Sequence, residues 1–181
     1  MNKALFLDRD GVINKVVMRN GVVASPRCVE ELEIFDLARE VVKTAKGLGY
    51  MAIIVTNQPD VGRNRMDLAT LEKMHGAIER VFPVDLIQTC TSCDNYDFRR
   101  KPNPGMILEA AERFNIDLKQ SLLLGDSEKD IIAGWRAGVE TILLHTYYNS
   151  EIHGKADRDV SSFGEVIDYL QTGAVGAESV F

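Results

Sequence analysis

Five short runs of apolar residues recur along the chain. A continuous apolar run of this length is typical of a strand that is buried on both faces of a parallel sheet. Polar or turn-forming residues separate these runs from the segments around them. The runs predict strands at residues 4–8, 51–56, 84–89, 121–126 and 139–145.

Segments with helical spacing lie between these runs. Asp67 is a candidate N-cap and Pro104 a candidate helix start, whereas Gly49 and Gly138 each follow the end of a periodic segment. These signals predict helices at residues 37–48, 67–82, 104–114, 128–137 and 162–170. Strands that alternate with helices form βαβ units with right-handed crossovers. The sequence therefore predicts a doubly wound α/β fold, a parallel sheet with helices on both faces.

One segment departs from this alternation. Between residues 16 and 24, two β-branched runs flank Asn20-Gly21, the strongest short signal for a hairpin turn. We expect a small hairpin just after the first strand. Residues 173–181 are small and poorly patterned, so we expect a frayed tail after a single domain at residues 1–172.

Composition narrows the class of protein. The chain has 181 residues, 45% of them hydrophobic, which is enough for the core of one domain. A net charge of −6 argues against a protein that holds nucleic acid through overall charge. No apolar run reaches the roughly 18 residues of a membrane span, and the N-terminus lacks a secretory pattern. Cys28, Cys90 and Cys93 are too few for a disulfide framework, which favours a reducing, cytoplasmic location.

Polar residues gather where three of the predicted strands end. In an open parallel sheet, ligands bind outside the carboxyl ends of the strands. Any one of these residues alone is most simply a turn or cap residue, but three strand ends together favour a site. Carboxylates that meet in one crevice repel each other, and Mg²⁺ with its preference for oxygen ligands relieves that repulsion. The residues are Asp8 and Asp10, Thr56 and Asn57, and Asp126 and Asp130.

A lysine completes this set of candidate site residues. Lys101 lies just before the helix predicted at 104–114, where its point charge can neutralise phosphoryl oxygens. Magnesium and a lysine together indicate a phosphorylated substrate. The chain has no Gly-rich loop that ends in Gly-Lys-Ser/Thr, so a nucleoside triphosphate kinase has little support.

Four segments, in order, carry a family resemblance. Asp8-Arg-Asp-Gly-Val-Ile-Asn14, Val55-Thr-Asn-Gln58, Arg100-Lys-Pro and Gly125-Asp-Ser-Glu-Lys-Asp130 resemble the four motifs of the haloacid dehalogenase superfamily of phosphohydrolases. The flanking strands extend the likeness over most of the chain. The resemblance implies a Rossmann-like fold and a magnesium-dependent phosphomonoesterase that acts through an aspartyl-phosphate.

The resemblance also implies a role for each site residue. Asp8 would be the nucleophile and Asp10 the general acid and base. Thr56 would donate a hydrogen bond to a phosphoryl oxygen, and Lys101 would balance the charge on Asp8 and the phosphoryl group. The metal ligands would be Asp8, the main-chain carbonyl of Asp10 and Asp126, with Asp130 supporting the site.

The motifs further resemble the branch that contains histidinol-phosphate phosphatase and D-glycero-D-manno-heptose-1,7-bisphosphate 7-phosphatase. Only 45 residues separate Asp10 from Thr56, and 44 separate Thr56 from Lys101, which leaves no room for a cap domain. We expect a capless, monomeric enzyme that acts on a small phosphorylated metabolite, most simply a heptose bisphosphate. The alternatives are histidinol phosphate, a nucleic-acid 3′-phosphate and a non-catalytic binding module.

Arginines on two loops are candidates for recognising the rest of the substrate. Arg63 follows the second strand, and Arg100 directly precedes Lys101, so both could bind a second phosphate or clustered hydroxyls. Asn57, which follows the second predicted strand, is a further candidate. Arg65 is interpreted as a solvated surface charge, and Arg99 is left open between the two interpretations.

The chain departs from the branch pattern in one loop. The branch typically holds a structural zinc through Cys-x-His and a later Cys-x-Cys. Here Cys90 stands where the first cysteine belongs, but Ser92 replaces the histidine, and Asp97 and Arg99 replace the later pair. Cys93 makes a CxxC with Cys90, which is half of a zinc site. Structural zinc is therefore not expected.

Overall fold

A computed structural model describes residues 1–172, and the predicted tail at residues 173–181 lies outside the described residues. Its centre is a six-stranded sheet in the order β5-β4-β1-β6-β7-β8, in which every neighbouring pair is parallel. The strands are β1 Lys3–Leu7, β4 Tyr50–Asn57, β5 Leu86–Cys90, β6 Leu122–Gly125, β7 Glu140–Leu144 and β8 Arg158–Val160. The doubly wound prediction is confirmed.

Six α-helices accompany the sheet in the described residues. They are α1 Asp36–Gly47, α2 Pro59–Gly62, α3 Leu68–Val81, α4 Gly105–Phe114, α5 Glu128–Ala137 and α6 Phe163–Thr172. Alternate side chains of β1 enter different layers: Leu5 and Leu7 pack with α1 and α6, whereas Ala4 and Phe6 pack with α4 and α5. The two layers exclude water from both faces of the central strands β1 and β6, which are therefore almost entirely apolar.

All five predicted strands are present, with small shifts of their ends. The sequence pattern missed β8, which has only three residues and lies at the sheet edge, and it missed the single turn of α2. Asp67 caps α3 as expected, since its carboxylate accepts a hydrogen bond from the Thr70 amide at 2.6 Å. No described helix has the length and apolar character needed to span a membrane.

The expected hairpin follows β1. Strands β2 Val17–Arg19 and β3 Val22–Ala24 pair antiparallel across Asn20-Gly21, and both turn residues have the positive φ that this turn type requires. This two-stranded unit is the largest insertion between β1 and α1. A capless domain is thus observed, and the hairpin forms one side of the cavity described next.

Candidate active site

Asp8 and Lys101 meet at the carboxyl end of β1. The Lys101 Nζ atom lies 2.7 Å from Asp8 Oδ1, 2.6 Å from Asp130 Oδ1 and 2.7 Å from the Val55 carbonyl oxygen, so its three donors are all used. Asp8 Oδ1 also accepts a hydrogen bond from the Arg9 amide. A buried lysine therefore holds one oxygen of Asp8 in place.

Three carboxylates form a compact acidic cluster. Ligand atoms of Asp8, Asp126 and Asp130 all lie within 4.8 Å of one another. Asp130 is fully buried, and its second oxygen accepts hydrogen bonds from the Ser127 amide and hydroxyl, which also caps α5. Gly11 makes this packing possible: its φ is +93°, and a Cβ built there would lie 2.0 Å from Asp126 Oδ2.

The acidic cluster carries more negative charge than Lys101 alone can balance. Burial, followed by the charge of Asp130, raises the pKa of Asp8 to about 7, although Lys101 opposes this. Burial and then the charges of Asp8 and Asp130 raise the pKa of Asp126 well above its usual range. Burial alone would lower the pKa of Lys101, but Asp130 and Asp8 outweigh it and raise that pKa. One ammonium group does not neutralise three closely spaced carboxylates.

Asp10 lies in a different environment. Arg9, which is fully buried, donates from Nε and Nη2 to Asp10 Oδ1 at 3.1 and 2.9 Å. Asn14 donates to Oδ1 and Gln58 to Oδ2, at 2.9 and 2.8 Å. Burial would raise the pKa of Asp10, but the Arg9 charge and these hydrogen bonds outweigh it and lower that pKa. Asp10 is thus held as a carboxylate in one orientation.

Thr56 and Asn57 support the site from the end of β4. Thr56 is buried below the cavity surface, and its hydroxyl accepts a hydrogen bond from Gln58 at 2.9 Å. The Asn57 side chain lines the cavity, but both ends of its amide bind the main chain of Lys101, at 2.9 and 3.0 Å. Asn57 therefore connects the end of β4 to the loop that carries the lysine.

Tyr148 and Asn149 are site residues that the sequence interpretation missed. The Tyr148 hydroxyl donates a hydrogen bond to Asp126 Oδ2, and buried Asn149 donates to the main-chain oxygens of Asp126 and Leu144, at 2.8 and 2.9 Å. Both follow β7. The signal in the sequence is the run of polar residues that directly follows the apolar strand β7.

A cavity of about 920 Å³ opens above the acidic cluster. Of the residues predicted to bind substrate, Asn57, Arg63, Arg100 and Lys101 line it, together with Asp8, Asp10 and Asp126. Arg65 also lines it, with a side chain that is 56% exposed. Further lining side chains that the sequence did not single out include Arg19, Arg27 and Asp60.

Arg100 is more constrained than the sequence suggested. It is 6% exposed, and its guanidinium donates to the Ser92 carbonyl oxygen at 2.8 Å and to Asn95 Oδ1 at 3.3 Å. Part of its hydrogen-bonding capacity therefore closes the loop at residues 91–100. Arg99 instead pairs with Gln88 and Glu109, away from the cavity lining.

The donor set fits a hard divalent cation. Asp8 and Asp126 offer carboxylate oxygens at one edge of the cavity, and Gly11 leaves room for Asp126 to approach the main chain there. Both oxygens of Asp130 are already bound to Lys101 and Ser127, so Asp130 supports the site from behind. Oxygen ligands and mutual repulsion together suit Mg²⁺.

Comparison with known proteins agrees with this geometry. A family model described as HAD-hydrolase-like, where HAD stands for haloacid dehalogenase, matches residues 98–169. The chain is 40% identical over 156 residues to the D-glycero-alpha-D-manno-heptose-1,7-bisphosphate 7-phosphatase of Burkholderia mallei, covering 79% of each chain. It is 37% identical to the D-glycero-beta-D-manno-heptose-1,7-bisphosphate 7-phosphatase of Helicobacter pylori, covering 79% of this chain and 83% of the relative.

Solved structures show the same architecture. D,D-heptose 1,7-bisphosphate phosphatase from B. bronchiseptica, crystallised with magnesium and phosphate, has a TM-score of 0.80 and 26% identity, and the match covers 94% of this chain and 98% of that chain. A putative HAD-like phosphatase from Mesorhizobium loti has a TM-score of 0.75 and 28% identity, covering 94% and 87%. The predicted family and the predicted class of enzyme are confirmed. The chain therefore belongs to the haloacid dehalogenase superfamily and is a phosphoric monoester hydrolase.

Proposed function

We propose that the enzyme removes the 7-phosphate of D-glycero-D-manno-heptose 1,7-bisphosphate and depends on Mg²⁺. The observation that carries the proposal is the Asp8 carboxylate beside buried Lys101 at the floor of an open cavity. The choice of substrate rests on the heptose bisphosphate phosphatases to which the chain is 37–40% identical.

In the first step, an oxygen of Asp8 attacks phosphorus. A bond forms between Asp8 and phosphorus, and the bond from phosphorus to the sugar oxygen breaks. Lys101 balances the negative charge of Asp8 and the phosphoryl group, since its ammonium group already contacts Asp8. Asp10, which its neighbours hold as a carboxylate in the substrate-free site, must first take up a proton when substrate binds, and it then gives that proton to the leaving sugar oxygen.

In the second step, Asp10 acts as the base. It takes a proton from a water molecule, whose oxygen attacks phosphorus, and the bond between phosphorus and Asp8 breaks to release phosphate. The lowered pKa of Asp10 favours its carboxylate form, which this step requires. Arg9, Asn14 and Gln58 keep that carboxylate oriented toward the cavity floor.

Asp8, the main-chain carbonyl of Asp10 and Asp126 would hold the magnesium ion, with Asp130 as the supporting carboxylate. When bound, the ion supplies positive charge to the phosphoryl oxygens. Three features of the chain position these ligands. Gly11 leaves room for Asp126, Lys101 donates a hydrogen bond to Asp130, and the Tyr148 hydroxyl donates one to Asp126.

The remaining site residues bind the substrate in this proposal. Thr56 keeps its hydroxyl proton free to donate, because it accepts from Gln58. Asn57 fixes the main chain of Lys101 through both ends of its side-chain amide and so positions the lysine for the phosphoryl group. Arg63 and Arg100 face the sugar, and Arg100 does so with the donors that Ser92 and Asn95 leave free.

The cavity charge weighs against the alternatives. Histidinol phosphate carries an ammonium group, which the arginines of the lining would repel. A nucleic-acid 3′-phosphate would extend over a surface of a chain whose net charge is −6. The intact Asp8, Asp10 and Lys101 weigh against a non-catalytic module. The three free cysteines of the chain favour a cytoplasmic enzyme, and we propose that it acts as a monomer.

A substrate panel tests the proposal. With Mg²⁺, we expect much faster release of phosphate from the heptose bisphosphate than from histidinol phosphate or a 3′-phosphorylated oligonucleotide, and little release after chelation. Asp8→Asn removes the nucleophile and should abolish turnover, whereas Asp10→Asn should slow it by roughly 10²- to 10⁴-fold. Near wild-type activity of Asp8→Asn would refute the mechanism, and a preference for histidinol phosphate would refute the substrate.

A further inference from the structure

Four arginines form one side of the cavity and are here called the arginine wall: Arg19, Arg27, Arg63 and Arg65. Two come from the segment after β1 and two from the loop after β4, so distant parts of the sequence converge here. Their side chains are between 27% and 56% exposed. The guanidinium groups are therefore accessible to a ligand inside the cavity.

One buried carboxylate lies among three of these four arginines. Asp60, whose side chain is 10% exposed, accepts a hydrogen bond from Arg27 Nε at 2.6 Å. Its other oxygen lies 3.6 Å from Arg63 Nη1 and 3.8 Å from Arg65 Nη1, beyond hydrogen-bond distance. Asp60 thus holds three guanidinium groups around one point while using only one of their donors.

The charges of this group do not cancel. Arg27, Arg63 and Arg65 carry three positive charges against the single negative charge of Asp60, which leaves about two in excess. Arg19 is paired separately with Glu31, whose carboxylate also accepts a hydrogen bond from the Arg27 amide at 2.8 Å. In a chain of net charge −6, this local excess of positive charge would attract an anion.

We propose that Arg27, Arg63 and Arg65 form a subsite for the second phosphate of a sugar bisphosphate, with Asp60 as a positioning residue. This inference rests on the proposed function. A phosphate dianion matches the excess charge, and the flat guanidinium groups offer paired donors to its oxygens. Arg27 is bound to Asp60 only through Nε, so its two terminal nitrogens remain for the ligand.

The test compares two substrates with the same scissile bond. D-glycero-D-manno-heptose 1,7-bisphosphate carries the second phosphate, and D-glycero-D-manno-heptose 7-phosphate lacks it. We expect the wild-type kcat/KM to favour the bisphosphate, and Arg63→Ala or Arg65→Ala to lower that preference about tenfold or more, mainly through KM. Arg80→Ala is the matched control, because Arg80 is exposed on α3 and does not line the cavity.

The sodium chloride concentration provides an independent test that needs no substitution. Raising sodium chloride from about 0.05 M to about 0.5 M screens exposed charges, so it should reduce the wild-type preference for the bisphosphate. In the double variant Arg63→Ala, Arg65→Ala, the preference should respond much less. Arg27→Ala should act like the single variants, but it leaves Asp60 without its hydrogen bond, so circular dichroism must first show that it folds.

The outcomes separate this inference from the proposed function. An unchanged preference in folded Arg63→Ala and Arg65→Ala overturns the subsite, whether or not Arg27→Ala folds. If wild type hydrolyses neither heptose phosphate while p-nitrophenyl phosphate is turned over, the proposed substrate has failed. The subsite then survives only if the two variants lose a preference for fructose 1,6-bisphosphate over fructose 6-phosphate, and an equal loss with both sugars refutes it.

Discussion

The guanidinium group of buried Arg9 contacts two neighbouring side chains. Asp10 lies on one side, and on the other the Arg9 Nη1 atom is 3.4 Å from His75 Nε2. A guanidinium group only donates, so Nε2 must accept and the ring proton must lie on Nδ1. His75 is in α3 and is half-buried, and the sequence, in which it has no ligand-like spacing, gave no sign of this contact.

This contact makes folding sensitive to acid. Burial, followed by the charge of Arg9, lowers the pKa of His75 to about 4. A histidine whose pKa is lower in the folded state than in the unfolded state binds more protons when unfolded, so stability is lost as pH falls from about 6.5 to about 4. We expect His75→Gln, which can still accept from Arg9, to reduce this loss by about 1–3 kcal/mol. Urea unfolding at several pH values measures it, and identical pH dependence in both proteins would contradict it.

Tyr148 offers a second prediction for a single residue. Its hydroxyl binds the oxygen of Asp126 that faces Gly11, and so orients the other oxygen. We expect Tyr148→Phe to weaken Mg²⁺ binding about tenfold, the usual scale for loss of a group behind a metal ligand. Isothermal titration calorimetry with Mg²⁺ measures the affinity directly. Tyr147→Phe is the control, because the Tyr147 ring touches that of Tyr148 but is 78% exposed. Equal affinities in wild type and Tyr148→Phe would count against the idea.

At the level of elements, the loop at residues 91–103 is held by hydrogen bonds. Asn103 donates to the carbonyl oxygens of Asn95 and Asp97, at 3.1 and 2.8 Å, and Arg100 donates to that of Ser92. Cys90 is buried, whereas Cys93 is exposed and its thiol contacts the Pro59 carbonyl oxygen. Amide and guanidinium groups thus connect the loop at the places where the branch uses metal ligands.

The loop therefore gives a prediction about metal content. Only two thiols are available, and Arg99 would bring a positive charge toward a zinc ion. We expect protein purified without added zinc to contain far less than one equivalent by mass spectrometry. A zinc-selective chelator should leave its unfolding temperature unchanged. Stoichiometric zinc, with loss of folding on chelation, would show that other residues complete a site.

The burial of each element explains whether the sequence could predict it. Strands β1, β4, β6 and β7 are mostly buried and mostly apolar, so continuous hydrophobicity identified them. Strand β5 lies at a sheet edge and is only partly buried, but it begins with two apolar residues, whereas β8 is a three-residue edge strand with a polar start. Asp8 and Asp126 were predictable because strand ends in a parallel sheet share one edge, and Lys101 because it lies just before a predicted helix. The Asp60 contacts were not, because they depend on where a one-turn helix places a side chain relative to Arg27, 33 residues away.

For the whole molecule, the acidic cluster that would bind the metal also lowers the stability of the metal-free protein. Without metal, Asp8, Asp126 and Asp130 repel one another across less than 4.8 Å. We expect Asp126→Asn to raise the unfolding temperature of the metal-free protein, because it removes one of the charges. The wild type should gain about 2–3 kcal/mol at a Mg²⁺ concentration of about 100 Kd, whereas Asp126→Asn should gain almost nothing.

Thermal unfolding with and without Mg²⁺ decides this prediction. Asp168→Asn serves as the control, because Asp168 is exposed on α6 and far from the cluster in the sequence. The control should match wild type under both conditions. A metal-free Asp126→Asn protein less stable than wild type would mean that the Tyr148 hydrogen bond outweighs the repulsion.

The central place of β1 has a consequence for synthesis on the ribosome. β1 is the first strand of the chain, yet its two partners are β4 and β6, and β6 begins only at Leu122. At about 5–20 residues per second, roughly 6 to 23 seconds separate the synthesis of β1 from that of its second partner. During that time the apolar segment Lys3–Leu7 lacks one neighbour, which leaves it open to aggregation and to binding by chaperones. Slower initiation, which lowers the number of incomplete chains present at one time, should therefore increase the folded yield.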